Sequence, residues 1–193
     1  NKIVLILILK LKIIRNDKNL GMFKNKLHAI NQAKHDWVVL LDSDNTLLKS
    51  YLDSIYIIKD WDIKTMYCPS FSWPLLNNES LCGKEYLFKD IRELLIHNSQ
   101  KIKQFLNLGN FFVNKNEFFV ATHNMTDFIP YAADSIFINY LWTAKGNKLF
   151  IPKKCRYIHR VNGDSTWKIQ SSSSLIIFEN IKNAFLMSNL NLK

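Results

Sequence analysis

The chain has 193 residues, 48% of them apolar and 13% aromatic, which is enough for one buried core and too apolar for disorder. Its longest apolar run, residues 3–9, falls far short of the roughly 20 needed to span a bilayer, and no signal-peptide pattern accompanies it. A net charge of +10 favours a polyanionic partner, but the basic residues are spread along the chain rather than clustered with stacking aromatics, which counts against nucleic acid.

The expectation is one α/β domain over residues 1–193. Residues 3–14 read as one or two strands, and Asn19-Leu20-Gly21 as a turn. Phe23, Leu27, Ile30 and Ala33 recur at helical spacing over 23–34. Residues 37–41 form an apolar run of strand length that stops at Asp42-Ser43-Asp44-Asn45, and a helix follows over about 48–58. Further strands are expected at 66–71, 110–113 and 148–151. Further helices are expected over 84–105 and 134–144, the latter ended by Gly146. The four serines at 171–174 read as a joint or as the start of a last helix, which begins at 175 and ends between 187 and 190.

The three cysteines, Cys68, Cys82 and Cys155, are odd in number and lack C-x-x-C spacing, so neither a disulfide framework nor a zinc site is implied. Buried thiols in a reducing, cytoplasmic setting are expected. The last helix has an apolar side that suits either the core or the cytoplasmic face of a membrane.

A strand–helix–strand unit whose second strand ends in acids is the pattern of a parallel sheet that binds its ligand beyond the strand ends. Two carboxylates at i and i+2 can converge on one hard cation and share it with substrate phosphates. Turns are also rich in Asp and Asn, so from the tripeptide alone Asp42 and Asp44 read as a solvated turn, with Asp44 or Asn45 capping the next helix. The apolar strand immediately before them shifts the reading toward a metal site.

Asn19, Gly21, Ala33, Asp42 and Asp44 fall in the order and spacing of family 2 glycosyltransferases of the GT-A fold, which the chain resembles over about 13–167. The resemblance implies a Rossmann-like, mostly parallel sheet flanked by helices. It also implies a hexosyltransferase-type enzyme, dependent on Mn²⁺ or Mg²⁺, that moves a sugar from a nucleotide-diphosphate donor to a glycan, lipid-linked or protein hydroxyl, with inversion. Donor contacts fall on Asn19, Gly21, Lys26, Asp42 and Asp44. Metal ligands fall on Asp44, Asp42 and His159, and the catalytic base on Asp134. Gly109, Asn110 and Trp167 are weaker candidates for acceptor or sugar contacts. Each has a plainer reading: Lys26 as a helix-surface lysine, His159 as an ordinary surface histidine, Asp134 as a helix cap.

The resemblance departs from the family at the front. Only 18 residues precede Asn19, so the nucleotide-binding strands that open the family fold are expected to be shortened or missing. Asp134 follows Ala133 where the family has a second acid. An inactive or truncated GT-A-like domain that binds nucleotide or sugar is therefore the alternative. The identities of sugar, nucleotide and acceptor are not legible.

Overall fold

Asn19 closes the turn that launches the first helix. The Gly21 N–H donates to Asn19 Oδ1 at 2.9 Å, and Gly21 adopts φ +73°, a conformation that costs glycine little. The computed structural model describes residues 12–74, 76–97, 108–122, 134–160 and 171–187. Of the one or two strands expected over 3–14, residues 3–11 lie outside these residues and 12–14 are not in a strand. The Trp167 site and the part of the expected helix beyond His97 also lie outside them.

Helix α1 (Gly21–Asn31) buries Phe23 and Ile30 against the core. Strand β1 (Trp37–Val39) follows, then β2 (Thr46–Leu47), α2 (Lys49–Tyr56), β3 (Thr65–Tyr67), β4 (Phe71–Trp73) and β5 (Leu76–Asn77). A 3₁₀ turn (Glu79–Leu81) leads to β6 (Glu85–Tyr86), α3 (Phe88–His97), β7 (Phe112–Asn114) and α4 (Lys115–Thr122). The chain continues through α5 (Asp134–Ala144), β8 (Lys148–Phe150), β9 (Arg156–Ile158) and α6 (Ser171–Met187). The four serines thus begin the last helix rather than forming a joint.

The strands make two sheets, ordered β1-β7-β3-β8-β6 and β2-β9-β4-β5. The mostly parallel sheet expected from the sequence is not what forms. Of the seven pairings among the described residues only β3/β8 and β4/β9 are parallel. The physical reason is the placement of β7. Strands β1 and β3 do run the same way, as their helical crossover requires, but β7 lies between them and runs antiparallel to both. The β4–β5 connection is too short for anything but an antiparallel return.

Side chains alternate across the larger sheet and feed two cores. Val38, Met66, Val113 and Leu149 face the main core beneath α1, α3, α4, α5 and α6. Trp37, Val39, Tyr67, Phe112 and Phe150 face the opposite way, against Tyr51 and Ile55 of α2. On that side Trp37 stacks on Phe112 at 5.0 Å between ring centroids, and Trp61 meets Phe112 edge-on at 4.7 Å. In α6, Ile181 and Phe185 are buried, and Phe185 stacks on Phe88 at 4.5 Å. At least this part of the helix is therefore committed to the core. No helix among the described residues is long and apolar enough to cross a membrane.

Candidate active site

The site assembles where β1 runs out. Pairing with β7 continues past Val39, since the Leu40 N–H donates to the Phe111 carbonyl at 2.9 Å. One step further the main-chain partner is replaced by a side chain: the Asp42 N–H donates to Asn110 Oδ1 at 2.8 Å. Asn110 is buried with φ +54°, a left-handed conformation that asparagine tolerates better than most residues. Its own carbonyl accepts the Tyr51 hydroxyl at 2.7 Å, anchoring it to α2.

Asp42 to Asn45 then form a turn, closed by the Asn45 N–H on the Asp42 carbonyl at 3.0 Å. Neither Asp44 nor Asn45 caps α2, which starts with Leu48 in the cap position and no side-chain cap. The Asn45 amide instead donates to Asp42 Oδ2 at 3.4 Å, and its oxygen accepts the Arg160 N–H at 3.3 Å. This second bond ties the turn to the chain leaving β9. Asp44 is half-exposed.

Lys26 is not a surface lysine. It shares the inward stripe of α1 with Phe23 and Ile30, and its side chain is 14% exposed. Its ammonium lies 3.1 Å from Asp42 Oδ1 and 2.7 Å from Asp134 Oδ2. Burial works to lower its pKa, but Asp134 and then Asp42 outweigh this and hold it above the ordinary lysine value. Asp134 opens α5, where the helix N-terminus favours a carboxylate. Its side chain is 6% exposed.

Gly109 fits the gap between these elements. A Cβ there would lie 3.1 Å from Ser135 Oγ and 3.8 Å from Asp42 Oδ2, so a glycine lets strand and helix close together. Asn139 of α5 donates to the Leu108 carbonyl at 3.3 Å and fixes the same segment from the other side. Tyr157 is buried nearby. Burial raises its pKa, while hydrogen bonds to Ser72 and Asn110 oppose the rise and the Asp42 charge adds to it.

The structure thus brings together Lys26, Asp42, Gly109, Asn110 and Asp134, with Asp44 on the same turn as Asp42. Asn19 and Gly21 are exposed at the start of α1, where they build its turn. His159 follows β9, whose Ile158 pairs with Thr46, so its backbone runs beside the turn, with its N–H on the Trp73 carbonyl at 2.9 Å. The sequence reading missed Tyr51, Asn45, Ser135, Asn139 and Tyr157. One signal was available for Asn139, a lone amide within an otherwise apolar stretch of helix.

Residues 5–71 match the family model described as glycosyl transferase family 2. Over those residues the chain is similar to family 2 glycosyltransferases. The matched segment holds Asn19, Gly21, Lys26, Asp42 and Asp44, while Asp134 and His159 lie beyond it. No curated protein matches the chain.

Glycosyltransferases of this family often use a divalent cation, and the side chains here fit one in a restricted sense. The expected set of Asp42, Asp44 and His159 is not gathered: among the described residues no three His, Cys, Asp or Glu side chains group to hold a metal. Asp42 instead has the Lys26 ammonium beside it at 3.1 Å. Asp44 leaves one carboxylate available, which suits a cation carried in by phosphate oxygens rather than a resident one.

Proposed function

We propose that the protein is a glycosyltransferase that moves a sugar, of hexosyl type, from a nucleotide-diphosphate donor to a hydroxyl acceptor with inversion at the anomeric carbon. The observation that carries this reading is the convergence of Lys26, Asp42 and Asp134 at the end of β1, with Asp44 on the adjoining turn. Cation, paired carboxylates and a carboxylate at a helix N-terminus are the groups such a transfer needs.

In this reading the diphosphate lies against the Asp42–Asn45 turn, with Lys26 as a phosphate donor. Asp42 holds the ribose. Mn²⁺ or Mg²⁺ accompanying the diphosphate would be held by Asp44, with Asp42 reaching it through water, and would supply the charge neutralisation that makes the nucleotide a better leaving group. His159 is an additional ligand only if its imidazole turns toward Asp44.

The acceptor hydroxyl gives its proton to the Asp134 carboxylate while its oxygen forms the new bond to the anomeric carbon. The bond from that carbon to the phosphate oxygen breaks, and the nucleoside diphosphate leaves with the electron pair. Gly109 and Asn110, beside Asp42, are the acceptor or sugar contacts in this reading.

A binding domain without turnover is the second reading, favoured by the depth of Asp134 and its ion pair. Thermal unfolding with nucleoside diphosphates, with and without Mn²⁺, on the wild type and Asp44→Ala tests the donor site. Donor hydrolysis under the same conditions separates enzyme from binder. A metal-dependent rise in Tm that Asp44→Ala removes supports the reading. No shift with any nucleotide overturns it.

A further inference from the structure

One ammonium faces two carboxylates in this site, so Lys26, Asp42 and Asp134 together carry an excess negative charge. A diphosphate cannot enter beside Asp42 on favourable terms while the Lys26 ammonium stays paired with the two carboxylates. The shorter of its two ion pairs, 2.7 Å, is with the carboxylate read above as the base. That oxygen is buried, and Lys26 is the charged partner that shields it from water.

Lysine suits a part that changes partners. It is a compact charge on a flexible four-carbon stem, with three donors that can be redirected without moving the helix backbone. The stem springs from the middle of α1, which Phe23 and Ile30 pin to the core. Only the side chain need turn.

Resting on the donor-site reading above, we infer that Lys26 is a donor-operated latch on Asp134: it holds that carboxylate until a diphosphate draws the ammonium away. Acceptor activation is then conditional on donor occupancy, because Asp134 is released only when the donor is in place. Lys26 is a positioning residue for Asp134 as well as a phosphate contact. The arrangement sets an order of events, donor before acceptor, without a moving loop.

The test is a double-mutant cycle on nucleotide affinity, with UDP, GDP and dTDP as probes, each with Mn²⁺, measured by calorimetry on the full chain. If the latch exists, Asp134→Asn tightens the nucleotide that binds by about fivefold or more, because Lys26 no longer has to leave a charged partner. Lys26→Met weakens binding, and adding Asp134→Asn to it brings no gain. Lys26→Arg restores the gain. An equal gain in both backgrounds would mean plain removal of a negative charge, and no gain in either would mean a static pair. Each overturns the latch while leaving the donor site intact. If the wild type binds none of the probes, the donor-site reading itself fails and the latch with it. Should Asp134→Asn not fold, as judged by circular dichroism, Asp134→Ser takes its place in the cycle.

Discussion

The main-chain N–H of Asp42 donates to the side-chain oxygen of Asn110 at 2.8 Å. A strand that would otherwise go on pairing is thereby ended by a side chain, and the first aspartate of the turn is oriented by a residue far away in sequence. Asn110 does this from a left-handed conformation, with its carbonyl held by Tyr51.

Asn110 therefore has two requirements that substitutions can separate. Asn110→Gly keeps the conformation and loses the bond, at about 1–2 kcal/mol for an unmade buried hydrogen bond. Asn110→Ala loses the bond and adds roughly 1–2 kcal/mol of left-handed strain. Urea unfolding should rank wild type above Gly above Ala. Equal losses for Gly and Ala would show that the conformation is not maintained in solution.

Gly109→Ala is expected to cost about 1 kcal/mol, since the new methyl would lie 3.1 Å from Ser135 Oγ. Combining it with Ser135→Ala should recover most of that loss. A thermal unfolding series of the two single variants and the double variant reads this directly.

Asp44→Ala should leave stability within about 0.5 kcal/mol, the usual range for a half-exposed position away from the core. Its effect should fall on metal-dependent nucleotide binding instead. Loss of stability comparable to a core variant would instead assign Asp44 a structural role in the turn.

Lys26 carries a stability signature with a defined sign. Its folded pKa is raised, with burial opposing and Asp134 and Asp42 prevailing, so its contribution is fully present below the unfolded value of about 10.5 and is lost as pH rises through the higher folded one. Wild type should exceed Lys26→Met by about 3 kcal/mol near neutrality, the lower end for losing one partner of a buried pair. The gap should narrow only in strongly alkaline buffer. Urea midpoints from pH 7 upward measure it, and a gap closing below pH 9 would contradict the ion pairs.

The strand–turn–helix unit around Asp42 was legible because its signals are local: an apolar run of strand length, two acids, and a helical period after a glycine turn. What could not be read was that β7 enters between β1 and β3, because that is decided by long-range pairing of Val38 with Val113 and Tyr67 with Phe112. The two- and three-residue strands β2, β5, β6 and β9 were likewise too short to show a period.

At the site, the residue types were legible but their mutual arrangement was not. Lys26 lies on a helix with little else to mark it, and only the closed fold brings it to Asp42 and Asp134. The role of Asn110 is equally invisible locally, since an Asn after Gly reads as any turn. Residues that act by bridging distant segments leave no periodic trace.

The aromatic group on the far side of the larger sheet gives the protein an internal optical gauge. Trp37 and Trp61 have ring centroids 5.4 Å apart at 60°, close enough for their strong far-ultraviolet transitions to couple and split the dichroism. Trp61 is fastened to α2 through the Ile55 carbonyl, and α2 holds the Asn110 segment through Tyr51. A shift of that segment on ligand entry would tilt one indole against the other, so the binding site can be watched from the opposite face of the sheet without attaching a dye.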